Sequence, residues 1–139
     1  YYLSNQDNRF RLASWDRERW IDREIAHAGE CLYDREASYT GLIAMDPLDP
    51  THVVISTDVD PTTGRDNGGK HEVYRATVGP DDDINTIQWQ RVTDNPGQRD
   101  LRPVVLRDGD TRVTLWQSGR FDTFTDYELD TVGLIETVE

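Results

Sequence analysis

The stretch that decides the fold holds two apolar runs separated by two prolines: Gly41-Leu42-Ile43-Ala44-Met45-Asp46-Pro47-Leu48-Asp49-Pro50-Thr51-His52-Val53-Val54-Ile55-Ser56-Thr57. The first run, residues 41–45, predicts a buried strand because it is continuously apolar. The prolines that follow cannot donate to a hydrogen-bonded ladder, so the strand must end there. The second run, residues 53–57, is rich in β-branched side chains and predicts another strand.

Two further strands follow in the next forty residues. Residues 72–78 alternate apolar and polar side chains after a glycine-containing loop, which indicates a half-buried strand. Residues 87–93 alternate as well, with Ile87, Trp89 and Arg91 on one face and Gln88, Gln90 and Val92 on the other. Residues 41–93 therefore predict one complete four-stranded antiparallel unit.

The flanking segments each predict about three strands. After the central unit, apolar or alternating runs lie at 101–106, 112–116 and 127–135. Before it, residues 1–27 predict a hairpin closed by Trp15 and Trp20. A helix over residues 15–28 is an alternative, since charge pairs occur there at i,i+4, although turn residues flank the segment on both sides.

These units predict an all-β chain of antiparallel β-propeller blades that form an incomplete ring. The predicted blades are 1–38 (incomplete, with a connecting loop), 39–98 (complete) and 99–139 (three-stranded). A propeller takes about four to eight blades of roughly 40–50 residues. We therefore expect either a fragment of a longer protein or several copies that complete one ring, and exposed blade edges predict a homo-oligomer.

The charge balance argues against two classes of partner. The 139 residues carry 27 Asp and Glu against 15 Lys and Arg, a formal net charge of -12. This balance argues against nucleic acid and against an anionic membrane surface. The one cysteine, Cys31, cannot form an intrachain disulfide. Because the chain opens at Tyr1 without an initiator Met, we expect a truncated N-terminus. The compartment is left open, with a secreted or periplasmic parent protein as one alternative.

Five stretches resemble the bacterial BNR-type propeller family, which is related to Asp-box proteins and includes sialidase-like proteins and ulvan lyases. They are residues 39–47, 54–61, 71–75, 101–105 and 125–135. The resemblance implies a propeller that binds or cleaves an acidic polysaccharide or a sialic-acid-like sugar. The usual Ser-x-Asp-x-Gly-x-Thr-Trp box is not intact here, and no catalytic residue is assigned. A fragment would be inactive alone.

Four residues beside the predicted inner strands are candidates for ligand binding: Arg102, Arg75, His71 and Tyr39. Arginine holds a carboxylate bidentately, and histidine can transfer protons near neutral pH. Each residue also has a structural alternative: a solvated histidine, an arginine in a structural pair or bonded to turn carbonyls, and a tyrosine that packs at a blade entrance.

The spacing of the Asp, His and Cys residues does not complete a metal or cofactor site, and we predict none. Calcium near Asp58 and Asp60 is the alternative, although Gly64 falls at the wrong offset for a calcium loop. His27 and Cys31 lie four residues apart, but two ligands do not make a zinc site.

The sequence leaves two classes of function open. The first is a carbohydrate-related propeller, and the second is a non-enzymatic scaffold for protein partners. Clustered His, Tyr and Arg would favour the first, whereas an exposed apolar patch would favour the second.

Overall fold

Strands alone build the part of the chain that the computed structural model describes, which is residues 1–33 and 42–138. Tyr39 lies outside these residues. The ten strands are β1 (Tyr2–Ser4), β2 (Asp7–Trp15), β3 (Trp20–Gly29), β4 (Ile43–Met45), β5 (His52–Thr57), β6 (Glu72–Thr77), β7 (Gln90–Arg91), β8 (Arg99–Asp108), β9 (Thr111–Thr123) and β10 (Asp126–Thr137). The described residues contain no helix, which confirms the all-β prediction, and none of them could cross a membrane as a helix.

The strands form three sheets in chain order, and every pairing is antiparallel. The first sheet is β1-β2-β3, the second is β4-β5-β6-β7 and the third is β10-β9-β8. The prediction of three antiparallel sheets is therefore confirmed. The sheets do not close into a ring within the described residues, so their identity as propeller blades stays a prediction.

The first hairpin settles the choice between strand and helix at residues 15–28. Trp15 pairs with Trp20 across the end of β2 and β3, and their ring centroids lie 5.7 Å apart. The Asp16 carboxylate accepts the backbone N–H groups of Glu18 and Arg19 and so closes the turn. The helix alternative is wrong, because cross-strand pairing satisfies the backbone here.

The second sheet lies between the other two, and its strand β5 is buried on both faces. All six residues of β5 are buried. Val53 and Ile55 pack towards Ile25 of the first sheet, whereas Val54 packs with Trp116 of the third. Alternate side chains of a strand point to opposite faces, so this continuous apolar run serves two cores at once.

Several predicted strand lengths differ from the structure. The outer strand predicted over 87–93 is reduced to β7, because Ile87 is drawn into the core and only Gln90 and Arg91 pair with β6. The third sheet is longer than predicted: β9 runs for 13 residues and β10 for 12. Polar residues in the added segments, such as Gln117, Arg120 and Glu136, conceal the extension in the sequence, although they remain paired in the ladder.

Candidate functional site

Two polar recesses lie on opposite sides of the segment 88–91, because its alternate residues point to opposite faces. Trp89 and Arg91 border one recess, which we call the loop hollow, and Gln88 and Gln90 border the other, which we call the cleft. The loop hollow encloses about 550 Å³ and is lined by Asp60, Thr63, Arg65, Asp66, Asn67, Tyr74, Trp89 and Arg91. The cleft encloses about 370 Å³ and is lined by His52, Arg75, Ala76, Thr77, Gln88, Gln90, Arg112 and Glu136.

Two carboxylates shape the backbone of the loop hollow. Asp60 Oδ1 accepts the N–H groups of Thr62 and Thr63 at 3.1 and 2.7 Å. Asp66 Oδ1 accepts the N–H groups of Gly68 and Gly69 at 2.8 and 2.7 Å. Such side-chain bonds fix turns that the backbone alone would not hold. Burial would raise the pKa of Asp60, but the bonds from Thr63 and Thr62 hold it below its ordinary value.

Asn67 brings an unused acceptor into the loop hollow. Its Nδ2 donates to Thr57 O at 3.2 Å and to the Tyr74 hydroxyl at 3.1 Å. Its Oδ1 is buried and has no hydrogen-bond partner among residues 1–33 and 42–138. An unpaired buried acceptor is costly, so a ligand that donates a hydrogen bond there would recover free energy.

Apart from Thr63, the remaining side chains of the loop hollow are aromatic or basic. Trp89 is half-buried, and its Nε1 lies 3.4 Å from Ile25 O. Burial raises the pKa of the Tyr74 hydroxyl above 10.0. Arg65 is exposed and forms no ion pair within the described part of the chain. The loop hollow therefore combines an aromatic surface, a free acceptor and an unpaired cation with two carboxylates, Asp60 and Asp66, that are engaged by their own turns.

Arg91 is positioned by a buried carboxylate. Glu72 is 1% exposed and accepts hydrogen bonds from Arg91 at 3.0 Å, from the Asn95 N–H at 2.9 Å and from the Thr93 hydroxyl. Asp94 also contacts Arg91 at 3.0 Å, but from solvent. The guanidinium is therefore held in place at the edge of the loop hollow.

The cleft is built from ion pairs between the second and third sheets. Arg75 Nε donates to Gln90 Oε1 at 3.0 Å, and its Nη1 bonds to Glu136. Arg112 Nε donates to the buried Asp46 at 2.6 Å. Burial would raise the pKa of Asp46, yet the Leu48 N–H and Arg112 keep it below its ordinary value.

His52 lies at the start of β5 and borders the cleft. The residue is 7% exposed, and its Nε2 has no hydrogen-bond partner among the described residues. Burial lowers the pKa of His52, and the nearby guanidinium groups of Arg112 and Arg75 lower it further. Both effects favour the neutral form of the imidazole.

The structure places the three described candidates of the sequence, Arg75, Arg102 and His71, in separate surroundings. Arg75 borders the cleft, whereas Arg102 lies on the third sheet, 5.5 Å above the Phe121 ring, and donates to Gln117 Oε1 at 3.0 Å. His71 is 2% exposed, and burial lowers its pKa to about 3. The fourth candidate, Tyr39, lies outside the described residues.

The candidate metal ligands are engaged in different interactions. Asp58 Oδ1 accepts the Glu30 N–H at 3.1 Å, and burial raises its pKa to about 6. Asp60 is occupied by its own turn. The described residues hold no group of three or more His, Cys, Asp or Glu that could hold a metal ion, His27 and Cys31 included. The alternative of calcium near Asp58 and Asp60 stays untested.

Sequence reasoning missed Asn67 and His52 as candidate binding residues. The alternation over 87–93 did place Trp89 and Arg91 together, and His52 could have been noticed as a polar residue at the start of an apolar strand. The unpaired atoms themselves depend on packing between distant segments.

Comparisons with protein-family models, curated proteins and solved structures found no match for this chain.

Proposed function

We propose that this chain is a carbohydrate-binding module that holds an acidic saccharide in the loop hollow. The observation that carries the proposal is the buried, unpaired Asn67 Oδ1, which lies in the same recess as the half-buried Trp89 and the guanidinium groups of Arg65 and Arg91. The volume of about 550 Å³ is within the range of ligand pockets.

The chemistry of a uronic acid matches these groups. A sugar hydroxyl can donate to Asn67 Oδ1, and the apolar face of a sugar ring can pack on Trp89. The carboxylate can bond to the exposed Arg65, which takes part in no ion pair among the described residues. Arg91 at the rim is already paired with Glu72 and Asp94, so Arg65 carries the charge recognition.

Tyr74 favours binding over cleavage. A general base works best when its pKa lies near the operating pH. Burial moves the Tyr74 pKa in the opposite direction, above 10.0, and the Asn67 amide occupies its oxygen. The hydroxyl therefore keeps its proton at neutral pH.

The proposal extends to the architecture, in which the three sheets are successive propeller blades. Its support is the meander order of the strands and the central sheet that is covered on both faces. The first strands of the second and third sheets, β4 and β8, are also in contact. Three blades do not close a ring, so the proposal requires further blades from the same polypeptide or from other copies.

A second candidate function is a scaffold formed by two copies of this chain, and the outer face of the third sheet favours it. Across this face Val104 pairs with Leu115, and Val113 lies between Leu106 and Ile135. Val104, Leu106 and Ile135 are 48%, 50% and 78% exposed. Two copies of a chain with net charge -12 repel each other, so a face with few charges is the surface on which they could associate.

Calorimetric titration with an oligogalacturonate and with its carboxyl-reduced counterpart tests the saccharide proposal. We expect the acidic oligosaccharide to bind tightly and its carboxyl-reduced counterpart to bind weakly. Arg65→Gln should weaken the binding of the acidic oligosaccharide about tenfold through loss of a charge-assisted hydrogen bond. Arg19→Gln is the matched control, since its side chain is 79% exposed on the first hairpin.

Two results would overturn the proposal. One is equal affinity for the acidic and the reduced oligosaccharide. The other is equal binding by the Arg65→Gln and Arg19→Gln variants, which would place the carboxylate elsewhere.

A further inference from the structure

The cleft contains a polar atom that the protein itself does not satisfy. His52 is more than nine-tenths buried, and its Nε2 has no hydrogen-bond partner among residues 1–33 and 42–138. Native proteins satisfy nearly all buried polar atoms, and the exceptions call for an explanation such as a bound molecule. The position of His52 in the lining of a recess provides that explanation.

The charges around the cleft are balanced. Arg75 pairs with Glu136, while Arg107 and Arg112 share Asp46 and Arg112 also contacts Asp49 at 3.5 Å. Three guanidinium groups therefore face three carboxylates. A charged ligand would have to break one of these pairs and leave its partner uncompensated, whereas an uncharged ligand would leave all of them in place.

The free hydrogen-bonding groups of the cleft comprise donors and acceptors. Gln88 Nε2 donates to Thr86 O at 3.1 Å, and its carbonyl oxygen forms no bond with the described residues. Gln90 is the reverse: its oxygen accepts from Arg75, and its Nε2 is available for a ligand. A hydroxyl group both donates and accepts, so neighbouring hydroxyls could bond to one glutamine oxygen, one glutamine nitrogen and the imidazole.

From these observations we infer that the cleft is a second ligand site, which binds an uncharged, hydroxyl-rich ring such as a neutral sugar through His52, Gln88 and Gln90. The volume of about 370 Å³ is near the lower end of the range for ligand pockets and suits one or two rings. The site is separate from the loop hollow and stands independently of the function proposed there, because the two recesses lie on opposite sides of β7.

Nuclear magnetic resonance of the whole chain tests this inference. Glucose, galactose and mannose serve as neutral probes, and glucuronate serves as the charged counterpart of glucose. We expect saturable shifts of the His52 ring signals with a neutral sugar at millimolar concentration. Glucuronate should bind the cleft more weakly, because its carboxylate would meet guanidinium groups that are already paired with carboxylates.

Paired variants locate the binding. His52→Leu removes the unpaired nitrogen at similar volume and should weaken binding about three- to tenfold, as expected for loss of a neutral hydrogen bond. His71→Leu removes the other buried, unpaired imidazole, which lies outside the cleft lining, and should leave the affinity unchanged. Gln90→Ala changes an exposed residue and should weaken binding without affecting folding.

The inference is overturned if no neutral sugar shifts the His52 signals saturably, or if glucuronate binds the cleft at least as tightly as glucose. It is also overturned if folded His52→Leu and Gln90→Ala proteins both bind like the unmodified chain. The Arg65→Gln variant separates the two sites, since it should leave neutral-sugar binding in the cleft intact while it weakens acidic binding in the loop hollow.

Discussion

At the scale of single residues, the burial of a carboxylate determines how much stability is lost when it is substituted. Glu72 accepts three hydrogen bonds in the interior, and we expect Glu72→Ala to lower the free energy of unfolding by about 2–3 kcal/mol through loss of bonds to a charged group. Asp94 contacts the same arginine with a side chain that is 81% exposed, so Asp94→Ala should cost less than about 1 kcal/mol. Urea unfolding measures both, and equal losses would contradict the role given to burial.

Asp58 gives a pH dependence of opposite sign to that of an ordinary paired carboxylate. Burial raises its pKa from 3.8 to about 6. Its contribution to stability is therefore fully present below pH 3.8 and is lost as the pH rises through 6. Asp58→Asn keeps an oxygen for the Glu30 N–H and removes the buried charge, so we expect a gain of about 1–3 kcal/mol at pH 8 and a smaller gain at pH 5.

Asp60→Asn is the control for that experiment. The folded-state pKa of Asp60 is lowered, so its stabilisation is present above pH 3.8 and is lost as the pH falls. This variant should lose stability at pH 8. Urea unfolding of both variants at pH 5 and pH 8 compares the signs, and a gain from Asp60→Asn or a loss from Asp58→Asn at pH 8 would refute the assignment.

At the scale of elements, close contact between β9 and β10 depends on one glycine. A Cβ atom at Gly119 would lie 2.1 Å from the backbone oxygen of Glu128 on β10, and the φ of Gly119 is 150°. Gly119→Ala must separate the strands, and we expect a loss of more than about 2 kcal/mol. Gly97→Ala is the matched control, since no heavy atom lies within 4 Å of its Cβ position. Thermal unfolding that shifts equally in the two variants would rule out this contact as the cause.

The sequence predicted the elements better than the recesses between them. Alternation and turn residues located the sheets, and the same alternation assigned Trp89 and Arg91 to one face and Gln88 and Gln90 to the other. Periodicity indicates which face of a strand a side chain lies on, but it does not indicate how deeply that side chain is buried. His71 was therefore a ligand candidate although it is only 2% exposed. Unpaired atoms such as Asn67 Oδ1 depend on contacts between segments, and one sequence does not contain that information.

At the scale of the whole molecule, an acidic surface and an apolar sheet face act against each other in self-association. The net charge of -12 opposes the approach of two copies, and added salt screens that repulsion. The outer face of the third sheet favours association through burial of Val104, Leu106 and Ile135. We therefore expect a dimer at micromolar concentration that becomes tighter as the salt concentration rises.

Sedimentation equilibrium at low and high salt measures this association, and two matched variants locate it. Ile135→Glu places a charge on a residue that is 78% exposed on the proposed interface, and it should weaken dimerisation at least about tenfold. Leu48→Glu changes a residue that is 67% exposed in the turn after β4, away from that face, and should leave dimerisation unchanged. A monomer at both salt concentrations would exclude the pairing of two copies. Equal weakening by the two variants would show that added negative charge, rather than the third sheet, controls association.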